Sequence, residues 1–464
     1  MRPGNLIRTR HLLPGRSAGR TAAATHLVAC CAAMAAACGD APMTATSYAT
    51  AVAEATAREH DLWPGFEPDR YPLAIVVGDS TFLIRHPTPP AGFNRLPGRA
   101  GLFAMAGSAS EVIANTAVDL GGTLTAVMSV QRDSVPVTAA SALALHELFH
   151  VHQRTHHPRW TANEVSLFTY PVDDADALAL RRLETTALRR ALDADADGAL
   201  RCWAAEAIRL RGERFARLPA EAADYERGTE LSEGLARYVE WKGARRKPGS
   251  SLVRSVYPPA DVRERAYDSG AGIAFLLDRL DRDWRARLDA DSSGTLDGLL
   301  QRVAVSARAS APPDCGVTAD ETAHARRAAH QDIADLLRAR ERRAQEFVAA
   351  DGWRIEMGGG LLFPEAFDPL NVEVLGHGRV LHSRYLVLSG QGARLEVNGP
   401  LSLTEAAGPH PLFNGVRSVT ITGLDEEPAL RRDGSTVHLS VPGVDLRANG
   451  ATVVRDDRSV RIQL

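Results

Sequence analysis

The stretch SALALHELFHVHQRTH, residues 141–156, decides how this sequence is interpreted. It contains the pattern H-E-x-x-H, formed by His146, Glu147 and His150. Successive residues of a helix lie about 100° apart, so the two histidines project within about 40° of each other and both imidazoles can reach one metal ion. Apolar residues occupy the opposite side of the same helix, which predicts that this side packs into a core. Two histidines make an incomplete metal site, and a further ligand has to come from elsewhere in the chain.

The composition of the chain is that of a globular protein. Its 464 residues are 45% hydrophobic and 24% charged, which is enough to bury substantial cores and predicts two or three domains. The formal net charge of −3 gives no reason to expect nucleic acid or an acidic membrane surface as a partner.

The first 38 residues have the pattern of an export signal. Several arginines precede the run TAAATHLVACCAAMAAACG, residues 21–39, which contains no acidic residue and ends in small ones. This order is typical of a secretory signal peptide. Residues 35–39, AAACG, also resemble the lipobox of bacterial lipoproteins, which implies a lipid on Cys38. We expect residues 1–38 to be a signal peptide of the lipoprotein type. The mature protein would be exported and lipid-anchored at the cell envelope, with membrane contact only through this lipid; plain secretion is the alternative.

Two cysteines, Cys202 and Cys315, remain beyond this leader. An oxidising compartment permits a disulfide between them. Two buried free thiols are equally consistent with the sequence.

The pattern of apolar residues divides the rest of the chain into three kinds of segment. Strand-like stretches punctuated by proline and glycine occur before residue 130. From about 138 to 350 apolar residues recur at helical spacing, and from 351 onward short alternating segments are separated by glycine-rich turns. We therefore predict an α+β protein. Residues 39–350 would form a catalytic domain with a small sheet and a mainly helical part, and residues 351–464 a small, sandwich-like β domain.

The stretch GTELSEGLARYVEW, residues 228–241, offers the third ligand. Its E-L-S-E-G-L-A part resembles the W-L-N-E-G-F-A segment of the aminopeptidase-N-like family of gluzincins, in which the central glutamate is the third zinc ligand. The resemblance implies a zincin-like fold for residues 39–350 and a Zn²⁺ site formed by His146, His150 and Glu233. The family's tryptophan is Glu230 here, and the separation between the two motifs is longer than is usual in the family.

The residues themselves also favour Glu233 as a ligand. Thr229 can cap a helix that starts here, which would place Glu230 and Glu233 near its N-terminus. Gly234 would lie inside the helix, where glycine costs about 1 kcal/mol relative to alanine; close approach of two helices is one reason to tolerate it. Other acids remain as alternative third ligands: Glu164, Glu184 and Glu230.

His156 is a further alternative ligand. Its spacing from the motif matches the third histidine of metzincins, in which a glycine breaks the helix before that histidine. Gln153, a good helix former, stands at the position of this glycine. If the helix continues, His156 points about 100° or more away from the metal-facing side and is not a ligand.

The stretch ERAYDSGAGIAFLLDRL, residues 264–280, resembles the Y-E-K-G helix start of the same gluzincin family. The family's tyrosine stabilises the oxyanion of the tetrahedral intermediate, and the resemblance assigns this role to Tyr267; a packed aromatic is the alternative. The family's lysine is Ser269 here. The family's G-x-M-E-N loop, which recognises a free N-terminus, is replaced by LGGTLTAVM, residues 120–128. The resemblance therefore implies a peptidase without implying an aminopeptidase.

Together these patterns predict an exported zinc metallohydrolase, a peptidase that acts on peptide or protein substrates. His146, His150 and Glu233 would bind Zn²⁺, Glu147 would be the general base, and Tyr267 would stabilise the oxyanion. Two alternatives remain. One is a metzincin-like protease that uses the later histidine as a ligand, and the other is a catalytically inactive binding module with a zincin fold.

Overall fold

The computed structural model describes residues 43–107, 116–130, 135–305, 315–368, 371–408 and 414–464. This part of the chain is α+β, as predicted: a small N-terminal sheet is followed by a mainly helical middle and a C-terminal region of two β-sheets. The predicted signal peptide, including Cys38, lies outside the described residues. Within the described ranges no helix is long and apolar enough to cross a membrane.

A six-stranded sheet forms the N-terminal part of the described chain, after helix α1 (Ala45–Ala57). Its strands are β1 (Leu73–Val77), β2 (Ser80–Ile84), β3 (Asn94–Arg95), β4 (Leu102–Ala106), β5 (Thr116–Leu120) and β6 (Thr123–Val130). The order across the sheet is β3-β4-β2-β1-β6-β5. β1 and β6 are parallel, and all other neighbours are antiparallel. Among the described strands, β5 is therefore at an edge of this sheet.

Helix α2 (Val137–His156) packs against β5 and β6 and carries the H-E-x-x-H motif. It follows Pro136 and is rich in alanine and leucine, which favour helix. Leu145, Leu148 and Phe149 are buried, as the amphipathic pattern predicts. The histidine-bearing side is thereby turned toward the rest of the helical middle.

The remaining helices of the middle are α3 (Val165–Phe168), α4 (Ala175–Asp193), α5 (Asp197–Phe215), α6 (Ala220–Thr229), α7 (Leu235–Gly243), α8 (Val262–Leu280), α9 (Trp284–Ala290), α10 (Leu296–Val305) and α11 (Ala319–Val348). A π-helical segment, Glu230–Gly234, joins α6 to α7, so the chain is helical from residue 220 to 243. The prediction that a helix starts at Thr229 is therefore wrong. The Thr229 hydroxyl donates instead to the carbonyl of Tyr225 at 2.9 Å, as threonine does inside a helix.

The π segment is in backbone contact with α8 through two glycines. A Cβ on Gly234 would lie 2.7 Å from Gly270 Cα, and a Cβ on Gly270 would lie 2.9 Å from the backbone of Glu230. A side chain at either position would overlap the facing helix. Gly234 thus lies at a close approach of two helices, and the helix that faces it is α8, not the histidine-bearing α2.

A buried cluster of three arginines and three glutamates joins α4, α5, α6, the π segment and α8. Its members are Glu184, Arg211, Arg214, Glu226, Glu230 and Arg265, and all are almost inaccessible to solvent. Glu184 accepts hydrogen bonds of 2.7–2.8 Å from all three guanidinium groups. Glu230 forms a bidentate pair with Arg211 at 2.6 and 2.8 Å. We call this group the arginine–glutamate cluster.

Two sheets form the C-terminal region. The first consists of β7 (Trp353–Gly358), β9 (Val372–Gly376), β10 (Arg379–His382), β13 (Ser402–Ala406), β14 (Val416–Leu424), β18 (Thr452–Asp456) and β19 (Ser459–Gln463), in the order β18-β19-β7-β14-β13-β10-β9. The second consists of β8 (Phe363–Phe367), β11 (Tyr385–Gly390), β12 (Ala393–Asn398), β15 (Ala429–Asp433), β16 (Thr436–Val441) and β17 (Val444–Asn449), in the order β15-β16-β17-β12-β11-β8. Residues of both sheets share one apolar core, distinct from the core of the N-terminal sheet and helices. A division into domains at residue 351 stays a prediction.

A disulfide joins Cys202 in α5 to Cys315, shortly before α11. The two Cα atoms are 5.9 Å apart, a separation that suits a disulfide. Of the two states that the sequence left open, the structure shows the bonded one.

We expect Gly270→Ala to destabilise the protein by roughly 1–3 kcal/mol, because the added methyl group would force α8 away from the π segment. Gly212→Ala in α5 is the matched control. The space around Gly212 is open, so alanine should stabilise the helix by up to about 1 kcal/mol. Urea unfolding of both variants measures the free energy of unfolding, and equal stabilities would contradict the glycine contact.

Glu184→Gln should cost roughly 3–5 kcal/mol at neutral pH, because three buried guanidinium groups would lose a shared carboxylate. Burial alone would raise the pKa of Glu184, but the arginines outweigh burial and lower it. The stabilisation is therefore present above the unfolded-state pKa near 4.5 and is lost as pH falls toward the lower folded-state pKa. Urea unfolding of wild type and variant at neutral and acidic pH measures this difference.

The control for Glu184→Gln is Glu54→Gln, which removes the exposed partner of Arg58 and should change stability by less than about 1 kcal/mol. A Glu184→Gln effect as small as that of the control, or one that does not diminish in acid, would contradict the role of the cluster.

Candidate metal centre

Three side chains from two facing helical elements come together. His146 and His150 extend from α2, and Glu233 extends from the π segment. The Oε2 atom of Glu233 lies 3.5 Å from His146 Nε2 and 3.2 Å from His150 Nε2. One ligand atom from each residue lies within 4.8 Å of the others, and no second group of three or more such residues occurs in the described ranges. This group could hold a metal ion.

Gln153 fixes the ring of His150 and ties α2 to the π segment. Its Nε2 atom donates to the carbonyls of Leu231 and Ser232, both at 2.9 Å, so its Oε1 atom faces His150 Nδ1 at 2.9 Å. Because an amide oxygen can only accept, His150 Nδ1 carries the hydrogen. Since Nδ1 is bound to Gln153, Nε2 is the ring nitrogen of His150 that faces Glu233, as a metal ligand would.

Glu240 lies behind the other histidine. Its carboxylate, on α7, is 3.4 Å from His146 Nδ1. A carboxylate at the outer nitrogen of a metal-binding histidine orients the ring and increases its basicity. Both histidines therefore turn Nε2 toward the same carboxylate oxygen of Glu233.

The carboxylates at the centre stabilise a positive charge on the neighbouring histidines. Burial lowers the pKa of His146, but the contacts with Glu233 and Glu240 outweigh burial and raise this pKa to about 9. Burial raises the pKa of Glu233, but the two histidines outweigh it and lower that pKa below its usual range. The negative charge of Glu233 and Glu240 is therefore suited to a divalent cation.

Glu147 lies beside this group with an unpaired carboxylate oxygen. The residue is only 4% exposed, and its Oε2 atom has no hydrogen-bond partner within the described part of the chain. Burial raises the pKa of Glu147, although His146 and His150 oppose this rise. A buried carboxylate oxygen without a partner is unusual in a folded protein, and a raised pKa suits a group that accepts a proton and then returns it.

Tyr267 on α8 lies at the same centre. Its ring is nearly parallel to that of His146, with centroids 6.3 Å apart. Its hydroxyl accepts a hydrogen bond from Arg263 Nη2 at 3.2 Å, and the same nitrogen donates to Glu233 Oε1 at 3.0 Å. Burial, followed by the charge of Glu233, raises the pKa of Tyr267. The hydroxyl thus keeps its hydrogen and can donate it in a hydrogen bond.

The acidic residues that the sequence left as alternative ligands have other partners. Glu184 and Glu230 belong to the arginine–glutamate cluster. Glu164 is half-exposed and pairs with Arg263 at 2.5 Å. None of the three is in the metal-binding group, whereas Glu233 is.

His156 is also outside this group. Helix α2 continues through His156 without a break, and His156 Nδ1 lies 3.0 Å from the carbonyl of His152. His152 itself is buried and faces the hydroxyl of Tyr71 at 2.8 Å. The geometry therefore gives no support to a metzincin-like set of ligands.

A cleft of about 390 Å³ opens beside the metal-binding group. Its lining includes His150, Glu233, Trp160 and Ala117. Ala117 belongs to the edge strand β5, so the cleft extends from the candidate ligands to an edge of the N-terminal sheet.

Three residues at this centre were not predicted from the sequence: Gln153, Glu240 and Arg263. Glu240 follows Glu233 by two helical turns, so a helical projection could have placed both on one face. Gln153 and Arg263 are three and four positions from His150 and Tyr267, spacings that bring side chains together on a helix. Nothing in the sequence shows that these pairs face the same metal centre.

We expect the leaderless protein, residues 39–464, to bind one Zn²⁺ per chain, and His146→Ala or Glu233→Ala to abolish binding because each removes a ligand. His156→Ala, on the same helix but outside the group, is the control and should keep its zinc. Elemental analysis after dialysis measures the metal content. Zinc that is lost with His156→Ala and kept with Glu233→Ala would contradict the ligand set. A folded parent protein that takes up no added zinc would contradict the centre itself.

Comparisons of the chain with models of protein families, with curated proteins and with solved structures found no match. The resemblance to gluzincins therefore rests on the quoted motifs, and a function has to follow from the geometry of the centre.

Proposed function

We propose that this protein is an exported, zinc-dependent metallohydrolase of the gluzincin type that cleaves peptide bonds. The observation that carries the proposal is the position of Glu147. Among the residues that the structure describes, one oxygen of this buried carboxylate has no partner, and the side chain lies beside a group of two imidazoles and one carboxylate. Two histidines and one acid form the protein ligand set of many catalytic zinc sites, and such sites keep one position open.

The residues have separate roles in this reaction. Bound zinc would polarise the substrate carbonyl and make water more acidic. Glu147 would accept a proton from the attacking water and later pass it to the leaving amine, for which its raised pKa is suited. Tyr267 would donate a hydrogen bond to the developing oxyanion. Its hydroxyl oxygen accepts from Arg263, and its hydroxyl hydrogen, which Glu233 can accept in the absence of substrate, would turn to the oxyanion.

The cleft supports an extended peptide or protein substrate. It extends from His150 and Glu233 to strand β5, an edge strand with which an extended peptide could pair. The stretch at residues 120–128, which replaces the amine-recognising loop of the gluzincin family, contains no acidic residue for a free N-terminus. These features favour cleavage within a chain over removal of single N-terminal residues.

Export is supported by two observations from different parts of the chain. The first is the signal-like N-terminus, with Cys38 as the proposed site of the lipid anchor. The second is the disulfide between Cys202 and Cys315, because disulfides persist in oxidising compartments. We propose that the protein acts at the cell envelope, and that it binds zinc there.

Glu147→Gln should reduce peptide hydrolysis by roughly 10²–10⁴-fold, because a general base is lost, while the zinc content stays at the parent value. Activity on unfolded casein and on a mixture of fluorogenic peptides, measured together with elemental analysis, tests both statements. Full activity in the Glu147→Gln variant would contradict the assigned base. A zinc-loaded parent protein that cleaves none of these substrates would favour the binding module.

A further inference from the structure

Arg263 lies in the first turn of α8, one turn before Tyr267. Its Nη2 atom donates to Glu233 Oε1 at 3.0 Å and to the Tyr267 hydroxyl at 3.2 Å. Its Nη1 atom lies 2.5 Å from Glu164 Oε1. The side chain is 40% exposed, so Arg263 spans from the metal centre to the surface.

The two oxygens of Glu233 have different partners. Oε2 faces the Nε2 atoms of His146 and His150, whereas Oε1 is bound by Arg263. A carboxylate can bind a metal ion through one oxygen or through both. A guanidinium group held on Oε1 leaves Oε2 as the oxygen that faces the metal-binding histidines. Hydrogen-bonded partners of this kind orient a metal ligand.

We propose that Arg263 is a positioning residue of the metal centre. It binds Glu233 Oε1, so that Glu233 acts as a ligand through Oε2 alone, and it binds the Tyr267 hydroxyl from the same nitrogen. This inference rests on the proposed function, since it assigns Glu233 to the metal and Tyr267 to the oxyanion. It goes beyond that function by naming the residue that determines which oxygen of Glu233 faces the metal-binding histidines.

The simpler alternative is that Arg263 only tethers Glu164 to the surface of α8. An exposed ion pair of this kind contributes little, about 0–1 kcal/mol. It would also give the arginine no reason to contact Glu233. The Tyr267 ring has a second neighbour, Arg237, whose guanidinium lies 5.2 Å from the ring centroid and pairs with Asp268. The ring should therefore stay in place when Arg263 is replaced, and the change should act on the Glu233 carboxylate.

The test uses Arg263→Met, which keeps the aliphatic length and removes every donor, and Arg263→Lys, which keeps one charge but cannot bind two partners in a fixed fork. Glu164→Gln is the matched control, because it breaks the surface pair and leaves the contact with Glu233. Zinc affinity is measured by competition with a chromophoric chelator. The visible absorption of the Co²⁺-loaded protein reports the coordination number. Circular dichroism verifies that each variant is folded.

We expect Arg263→Met to weaken zinc binding by about 10–100-fold. Its Co²⁺ spectrum should shift toward a higher coordination number, because Glu233 is then free to bind through both oxygens. Arg263→Lys should lie between Arg263→Met and the parent, and Glu164→Gln should match the parent in both measurements. If Arg263→Met does not fold, a weakened affinity and an altered Co²⁺ spectrum of Arg263→Lys carry the test.

Two results would overturn the inference. One is parental zinc affinity and an unchanged Co²⁺ spectrum in the folded Arg263 variants. The other is an equal loss in Glu164→Gln, which would make Arg263 a surface tether. Failure of the proposed function is a separate result: the parent protein would then bind no zinc, or would bind it without Glu233.

Discussion

The arginine–glutamate cluster is the constraint on which the candidate metal centre depends. Charges are costly to remove from water, so these buried pairs are stable only when every partner is present, which favours one arrangement of the helices. Glu230 is held by Arg211 and by the hydroxyl of Ser269 at 2.6 Å. Glu230 and Ser269 are also two of the positions at which the motifs depart from the gluzincin pattern, and they are in direct contact. Because Glu230 and Glu233 belong to one five-residue segment, the cluster also determines where Glu233 lies.

The π-helical form of that segment explains how two neighbouring glutamates reach different partners. On a regular α-helix, residues three apart lie on nearly the same face. A π turn is closed by i→i+5 hydrogen bonds and holds more residues than the 3.6 of an α turn, so side chains three apart diverge further. Glu230 accordingly faces Arg211, whereas Glu233 faces the histidines of α2. The two facing glycines, Gly234 and Gly270, allow α8 to lie close enough to take part in both groups.

The features that could be predicted from the sequence are those that depend on spacing within a single helix or strand. A spacing of four within one helix places His146 and His150 together whatever the rest of the chain does, and alternation of apolar residues is enough to predict the C-terminal strands. Glu233 is first identified through a resemblance, and the residues around it only support that choice, because its separation from His150 along the chain carries no geometric information. Thr229 was misplaced because its hydroxyl can cap a helix or bond back inside one, and tertiary packing decides between them. Arg263 reaches Glu233 from a different helix, which no pattern in the sequence shows.

The electrostatics of the centre connect the arrangement of the helices to metal binding. Glu233 and Glu240 raise the pKa of His146 although burial of this imidazole acts in the opposite direction. The carboxylates that favour a proton on His146 would also favour a divalent cation between the histidines and Glu233, so that metal binding and proton release are coupled. Glu147 is buried at the same centre, and burial raises its pKa. Its Oε2 atom has no hydrogen-bond partner in the described part of the chain. One buried environment thus contains two histidines and a carboxylate that could hold a cation, beside a second carboxylate with a raised pKa, which is the combination that the proposed hydrolysis by an activated water requires.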